Sequence, residues 1–154
     1  MSAITFNESL ILRINEQKTN IEILSALADR LYELKLVKDT YKKAILDREA
    51  EYPTGLFTDN INVAIPHADI VHVNHAAICV GILGKPVKFH AMDKPAEEID
   101  VRLVIMLALT EAHGHIDILQ KIVKLIQNQE LVGKIVNSKD SKLVYDIIKD
   151  QLLY

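Results

Sequence analysis

The 154 residues carry 18 Lys+Arg against 21 Asp+Glu, a net charge of −3, which removes the electrostatic case for a nucleic-acid partner. Trp is absent and aromatics make up 5%, too few for a base-stacking surface. The 49% hydrophobic and 25% charged content fits one soluble globular domain, 1–154, long enough to bury a core.

Residues 4–14 alternate loosely and fit a strand or a helix. Thr19 or Asn20 caps a helix running to about Lys35, with Ile21, Leu24, Leu27, Ala28, Leu31 and Leu34 at helical spacing. Asp39 or Thr40 opens a second helix through Tyr41, Ala44 and Ile45. It ends before Tyr52-Pro53, because a residue preceding proline disfavours the α region. Pro53-Thr54-Gly55 reads as a turn.

Residues 60–65 read as a short strand in which Ile61, Val63 and Ile65 alternate with smaller or polar neighbours. Pro66 ends it, having no N–H for a sheet ladder and a nearly fixed φ. His67 therefore stands at the C-terminal lip of a strand, where open α/β sheets place ligands. Imidazole is the side chain whose unperturbed pKa lies nearest neutrality, and its free nitrogen can accept a proton, a metal or a phosphoryl group.

Residues 76–83 form an apolar run of strand length, punctuated by Gly84-Lys85-Pro86 and followed by a short extended piece at 87–89. Cys79 lies inside that run; as a lone cysteine it suits a reducing compartment and is expected in the core. Asp93 to Glu98 reads as a polar loop, and 101–109 as a strand near the centre of the sheet. The apolar run at 103–109 is far short of the roughly 20 residues a spanning helix needs, and the N-terminus lacks a signal-peptide pattern. A cytoplasmic protein is expected.

Beyond Thr110 the period changes, and Ile116, Leu119, Ile122, Val123 and Ile126 define a helical face. A short helix from about Gln129 to Val136 follows. The last begins at Ser141, with Leu143, Val144, Ile147, Ile148 and Leu152 inward. The order predicts one α/β domain, a mixed and mostly parallel sheet with helices on both faces.

Two further residues accompany His67. His115 lies where the strand ending near Thr110 hands over to a helix, so it shares a crevice with His67 if the two strands are neighbours. Arg48, near the end of the second helix, is the nearest upstream guanidinium and could clamp a phosphate with paired donors. Each has a plainer reading: His67 as an ordinary loop histidine, His115 as a solvent-facing helix start, and Arg48 as a surface ion pair with Asp47 or Glu51. His72, His75, His90 and His113 are read as surface or packing residues. A small metal-binding protein using His67, Asp69, His72, His75 and the His113-Gly114-His115 pair is a further alternative, weakened by the absence of HExxH and of a cysteine pair. Neither a glycine-rich phosphate loop nor G-x-S-x-G occurs.

Leu46-Asp47-Arg48-Glu49, Pro53-Thr54-Gly55-Leu56 and Val63-Ala64-Ile65-Pro66-His67-Ala68-Asp69 together resemble the signature of the fructose/mannitol-type enzyme IIA domain of the bacterial phosphoenolpyruvate-dependent sugar phosphotransferase system. The likeness extends through Pro86-Val87, Phe89, 101–109 and His115-Ile116-Asp117-Ile118-Leu119. Ala68-Asp69 followed by His72-Val73, and Lys85-Pro86-Val87-Lys88-Phe89 with Met92, look most like the galactitol branch. The resemblance implies that His67 accepts a phosphoryl group from phospho-HPr and passes it to a cysteine of an enzyme IIB, with His115 and Arg48 assisting. It implies no cofactor and no metal, and only indirect association with a IIC membrane component. Ala68 departs from the glycine often found after the histidine, but is small enough to keep the backbone close to a docking partner. A regulatory IIA-like protein, controlling a partner through its phosphorylation state, is the alternative within the same fold.

Overall fold

A computed structural model describes residues 4–16, 18–111 and 116–153. After a 3-10 turn at Glu8–Leu10, the undecided N-terminal segment becomes strand β1 (Ile11–Ile14). Helix α1 (Asn20–Glu33) follows. Thr19 caps it, its hydroxyl accepting from the Glu22 N–H while the Glu22 carboxylate takes the Thr19 N–H. The helix buries Ile23, Leu24, Leu27, Ala28 and Leu31, whereas Ile21 and Leu34 at its two ends stay exposed.

The rest of the chain supplies helix α2 (Tyr41–Glu51) and strands β2 (Gly55–Leu56), β3 (Asn62–Ala64), β4 (Ala77–His90) and β5 (Glu98–Ala108). Helices α3 (Ile116–Gln127), α4 (Gln129–Asn137) and α5 (Ser141–Leu152) complete it. The sheet order is β1-β4-β5-β3-β2, so β5 is central as expected. The sheet is mixed: β1 with β4 and β3 with β5 are parallel, while β4 with β5 and β2 with β3 are antiparallel. Residues 77–83 are buried at every successive position, so both faces of β4 are covered. Leu27 of α1 lies against Gly81 on one face, and α4 reaches β4 and β5 from the α3–α5 side.

Three expectations need correction. Gly84-Lys85-Pro86 does not end a strand; it lies within a register shift between Ile82 and Val87, and β4 continues to His90. Gly84 is required there because a Cβ would stand 3.0 Å from the Asn15 Cα. The inward stripe of α3 is Ile118, Ile122, Leu125 and Ile126, which leaves Ile116, Leu119 and Val123 exposed. The helix carries two overlapping apolar stripes, and packing against α4 and α5 selects between them. In α5 the buried set is Val144, Ile148 and Leu152, with Leu143 displaced to the flank.

Helix α1 closes in a Schellman arrangement: Leu36 N–H donates to the Leu31 carbonyl and Lys35 N–H to that of Tyr32. This puts Lys35 at φ 61°, a conformation that suits glycine. Lys35→Gly should therefore stabilise the domain by up to about 1 kcal/mol, raising its thermal midpoint by about 2–4 °C. A lowered midpoint would contradict the assignment of strain to this position.

Candidate functional site

The His67 ring is half-buried, with Nδ1 3.0 Å from the Ile65 carbonyl oxygen. A carbonyl only accepts, so Nδ1 must carry the proton and donate it. In the neutral ring the unprotonated nitrogen is then Nε2, whose lone pair is available to an electrophile. The local geometry sets the tautomer and leaves the ring's free lone pair on Nε2.

Two sets of hydrogen bonds fix the backbone around this ring. On one side His67 forms a single parallel bridge with Leu107 of β5, and Leu107 N–H donates to the Pro66 carbonyl at 2.9 Å. The Leu107 carbonyl accepts from the buried Tyr41 hydroxyl at 2.7 Å, tying the first residue of α2 to the same point. Burial pushes the Tyr41 phenol far above its ordinary value, so it remains a donor throughout the physiological range.

On the other side the buried Glu49 carboxylate accepts from Thr54 N–H and from the Thr54 hydroxyl, both at 2.8 Å. The Thr54 carbonyl accepts the Ile65 N–H at 3.3 Å. Burial raises the Glu49 pKa, and the two Thr54 bonds followed by the charge of His90 pull it back. Gly55 lets β2 lie against the end of β4, since a Cβ there would stand 2.6 Å from the His90 carbonyl oxygen. The apolar pattern marks Tyr41 as a position of the second helix but says nothing of its hydroxyl, and nothing in that pattern singles out Glu49.

Arg48 stands in the last turn of α2, and its Nη1 lies 3.9 Å from the Asp69 carboxylate. The expected ion pair is thus made with the His67 loop itself, while Asp47 pairs with Lys43 at 2.6 Å instead. The guanidinium also sits 5.6 Å from the centre of the Tyr52 ring. Its Nε is buried and has no hydrogen-bond partner among the described residues, so one donor is uncommitted.

Strands β3 and β5 are neighbours and run parallel, which is the condition for His67 and His115 to open onto one crevice. His115 and His113 themselves lie outside the described residues. His72 is bound through Nδ1 to the Thr40 hydroxyl at 2.8 Å, and His90 Nδ1 donates to the Pro95 carbonyl at 2.9 Å. His75 is exposed. Among the described residues no three His, Cys, Asp or Glu side chains converge to hold a metal. Cys79 is fully buried in β4, and burial pushes its thiol up to about 12, leaving it unreactive.

Residues 4–151 match the family model of the phosphoenolpyruvate-dependent sugar phosphotransferase system, EIIA 2. The chain belongs to this family. Among relatives of this EIIA domain, the galactitol-specific EIIA component of Escherichia coli K12 is 26% identical over 122 residues, 79% of this chain and 81% of that protein. The nitrogen regulatory protein of Bradyrhizobium diazoefficiens is 26% identical over 139 residues, covering 89% and 85%. Among solved structures, enzyme IIA of the mannitol system of Escherichia coli, in complex with phosphorylated enzyme IIB, matches with a TM-score of 0.75 at 18% identity, covering 98% and 99% of the two chains. The chain is thus similar in sequence both to a galactitol-specific EIIA component and to a nitrogen regulatory protein. Among the described residues no helix is long and apolar enough to cross a membrane.

The Tyr41 bond to Leu107 can be checked alone. Tyr41→Phe should cost about 1–3 kcal/mol by leaving a buried carbonyl short of its donor, read as a lower denaturant midpoint at unchanged slope. Unaltered stability would mean the bond does not hold this edge.

Proposed function

We propose that this protein is a cytoplasmic phosphoryl carrier: Nε2 of His67 accepts a phosphoryl group from the phosphohistidine of HPr and passes it to the cysteine of an enzyme IIB. That partner in turn serves a IIC membrane component. The observation that carries this reading is the Nδ1–H bond to the Ile65 carbonyl, which leaves Nε2 as the only nucleophilic nitrogen of the ring. The galactitol-specific relative points to a sugar or polyol of the galactitol type as the transported cargo.

In the proposed step the Nε2 lone pair attacks phosphorus in line as the phosphorus–nitrogen bond of the donor breaks. The donor imidazole leaves with its electron pair, and His67 keeps its Nδ1 proton. The phosphorylated ring gains positive character, which the Ile65 carbonyl dipole stabilises. The incoming group brings roughly two negative charges near neutral pH, so the work of the site is positioning and charge neutralisation. Arg48 supplies a partly exposed guanidinium next to the His67 loop, and such a fork of donors suits phosphoryl oxygens. His115 is assigned an assisting role by its place in the family signature, immediately before Ile116 in the sequence.

A regulatory role is the second reading, favoured by the likeness to the Bradyrhizobium nitrogen regulatory protein. A IIB that takes the phosphoryl group from this protein supports transport. A partner bound only in one phosphorylation state, with no onward transfer, supports regulation.

Incubation with phosphoenolpyruvate, enzyme I and HPr, followed by mass spectrometry, should place one phosphoryl group on His67. His67→Ala should take up none, whereas Arg48→Ala and His115→Ala should remain folded and accept it about 100-fold more slowly. Labelling of His67→Ala at another residue would overturn the assignment, and unchanged rates in the other two would remove them from the site.

A further inference from the structure

We infer that Glu49 is a positioning residue, which through Thr54 sets the tautomer and orientation of His67. This inference rests on His67 being the phosphoryl acceptor. A buried carboxylate is costly unless its oxygens are satisfied, and both Glu49 oxygens are used on one residue. The two bonds hold Thr54 by its N–H and its hydroxyl, so the residue cannot rotate about either contact alone.

What Thr54 then presents is its carbonyl, which takes the Ile65 N–H at 3.3 Å. Ile65 precedes a proline that offers no N–H of its own, and β3 has already ended at Ala64. The Thr54 carbonyl is thus the partner that fixes the Ile65 N–H just past the end of the strand. With its N–H held, Ile65 directs its carbonyl at His67 Nδ1. The relay runs Glu49–Thr54–Ile65–His67, every link a hydrogen bond between named atoms.

The Tyr41–Leu107–Pro66 bonds anchor the same loop from the β5 side, but they end on backbone. Among the described residues, the relay from Glu49 is the one whose hydrogen bonds reach the imidazole. If it loosens, the Ile65 carbonyl no longer selects the Nδ1–H form, and Nε2 carries the proton in a growing share of molecules. Those molecules cannot accept at Nε2. Glu49 acts on the reaction without touching the phosphoryl group.

The chemistry of the carboxylate suggests the controls. Glu49→Gln retains both contacts, since its amide oxygen accepts from Thr54 N–H while its NH2 group donates to the Thr54 hydroxyl, which accepts as readily as it donates. Glu49→Ala removes both. Thr54→Val removes the hydroxyl link at nearly constant shape.

The test is the long-range 1H–15N spectrum of His67 in unphosphorylated protein, together with the rate of phosphoryl uptake from phospho-HPr. Wild type and Glu49→Gln should show His67 mainly as Nδ1–H. Glu49→Ala and Thr54→Val should show a large share of Nε2–H and accept the group roughly tenfold or more slowly. A His67 tautomer and rate within twofold of wild type in Thr54→Val, or in a folded Glu49→Ala, would overturn the inference. Should Glu49→Ala fail to fold, Thr54→Val decides alone. Failure of wild type itself to accept a phosphoryl group would sink the carrier reading, while the tautomer ratios would still decide the relay.

Discussion

The hydrogen bond from His67 Nδ1 to the Ile65 carbonyl is the contact on which the rest of the site depends. An imidazole in water has two interchangeable nitrogens; this one does not. Fixing a proton on one nitrogen makes the other the acceptor, with no metal or second base required. The sheet serves that bond. β3 is pinned between β5 and β2, Asn62 binds the Asp100 carbonyl at 2.9 Å, and the Ile61 N–H is taken by Gln129 of α4 at 2.7 Å. The chain therefore arrives at Pro66 from a strand held on several sides.

Helix α2 explains how one short element can reach the site in three ways. Its first residue, Tyr41, points inward to the Leu107 carbonyl. Glu49, near its other end, is buried against Thr54, while Arg48 reaches Asp69 beside the loop. A cation in the last helical turn is also favoured by the helix dipole. Rigid support and charge are thus delivered by the same helix, and the turn at Thr54-Gly55 folds them back onto the histidine.

Much of this was legible from residue order. The strand–proline–histidine run, the cap at Thr19, the end of α2 before Tyr52-Pro53 and the central strand near 101–109 all follow from local rules of period, capping and proline geometry. The failures share one cause. Gly84-Lys85-Pro86 carries strong breaker residues, yet pairing with β5 resumes beyond them, so a long-range partner overrides a local signal. The inward stripe of α3 differs from the expected one because two faces are apolar and only the tertiary neighbours choose. At the candidate site, His67 and Arg48 stand out by residue type and position, but Arg48's partner Asp69, the Tyr41 contact and the Glu49–Thr54 clamp depend on distances in space that no spacing in the chain encodes.

The central claim is tested most directly by finding which ring nitrogen carries the phosphoryl group. Protein labelled with 15N and phosphorylated through phospho-HPr should show phosphorus–nitrogen coupling at Nε2 of His67, with Nδ1 still protonated. Coupling at Nδ1 would mean that the bond to Ile65 is broken for reaction rather than used, and the account built on it would be wrong.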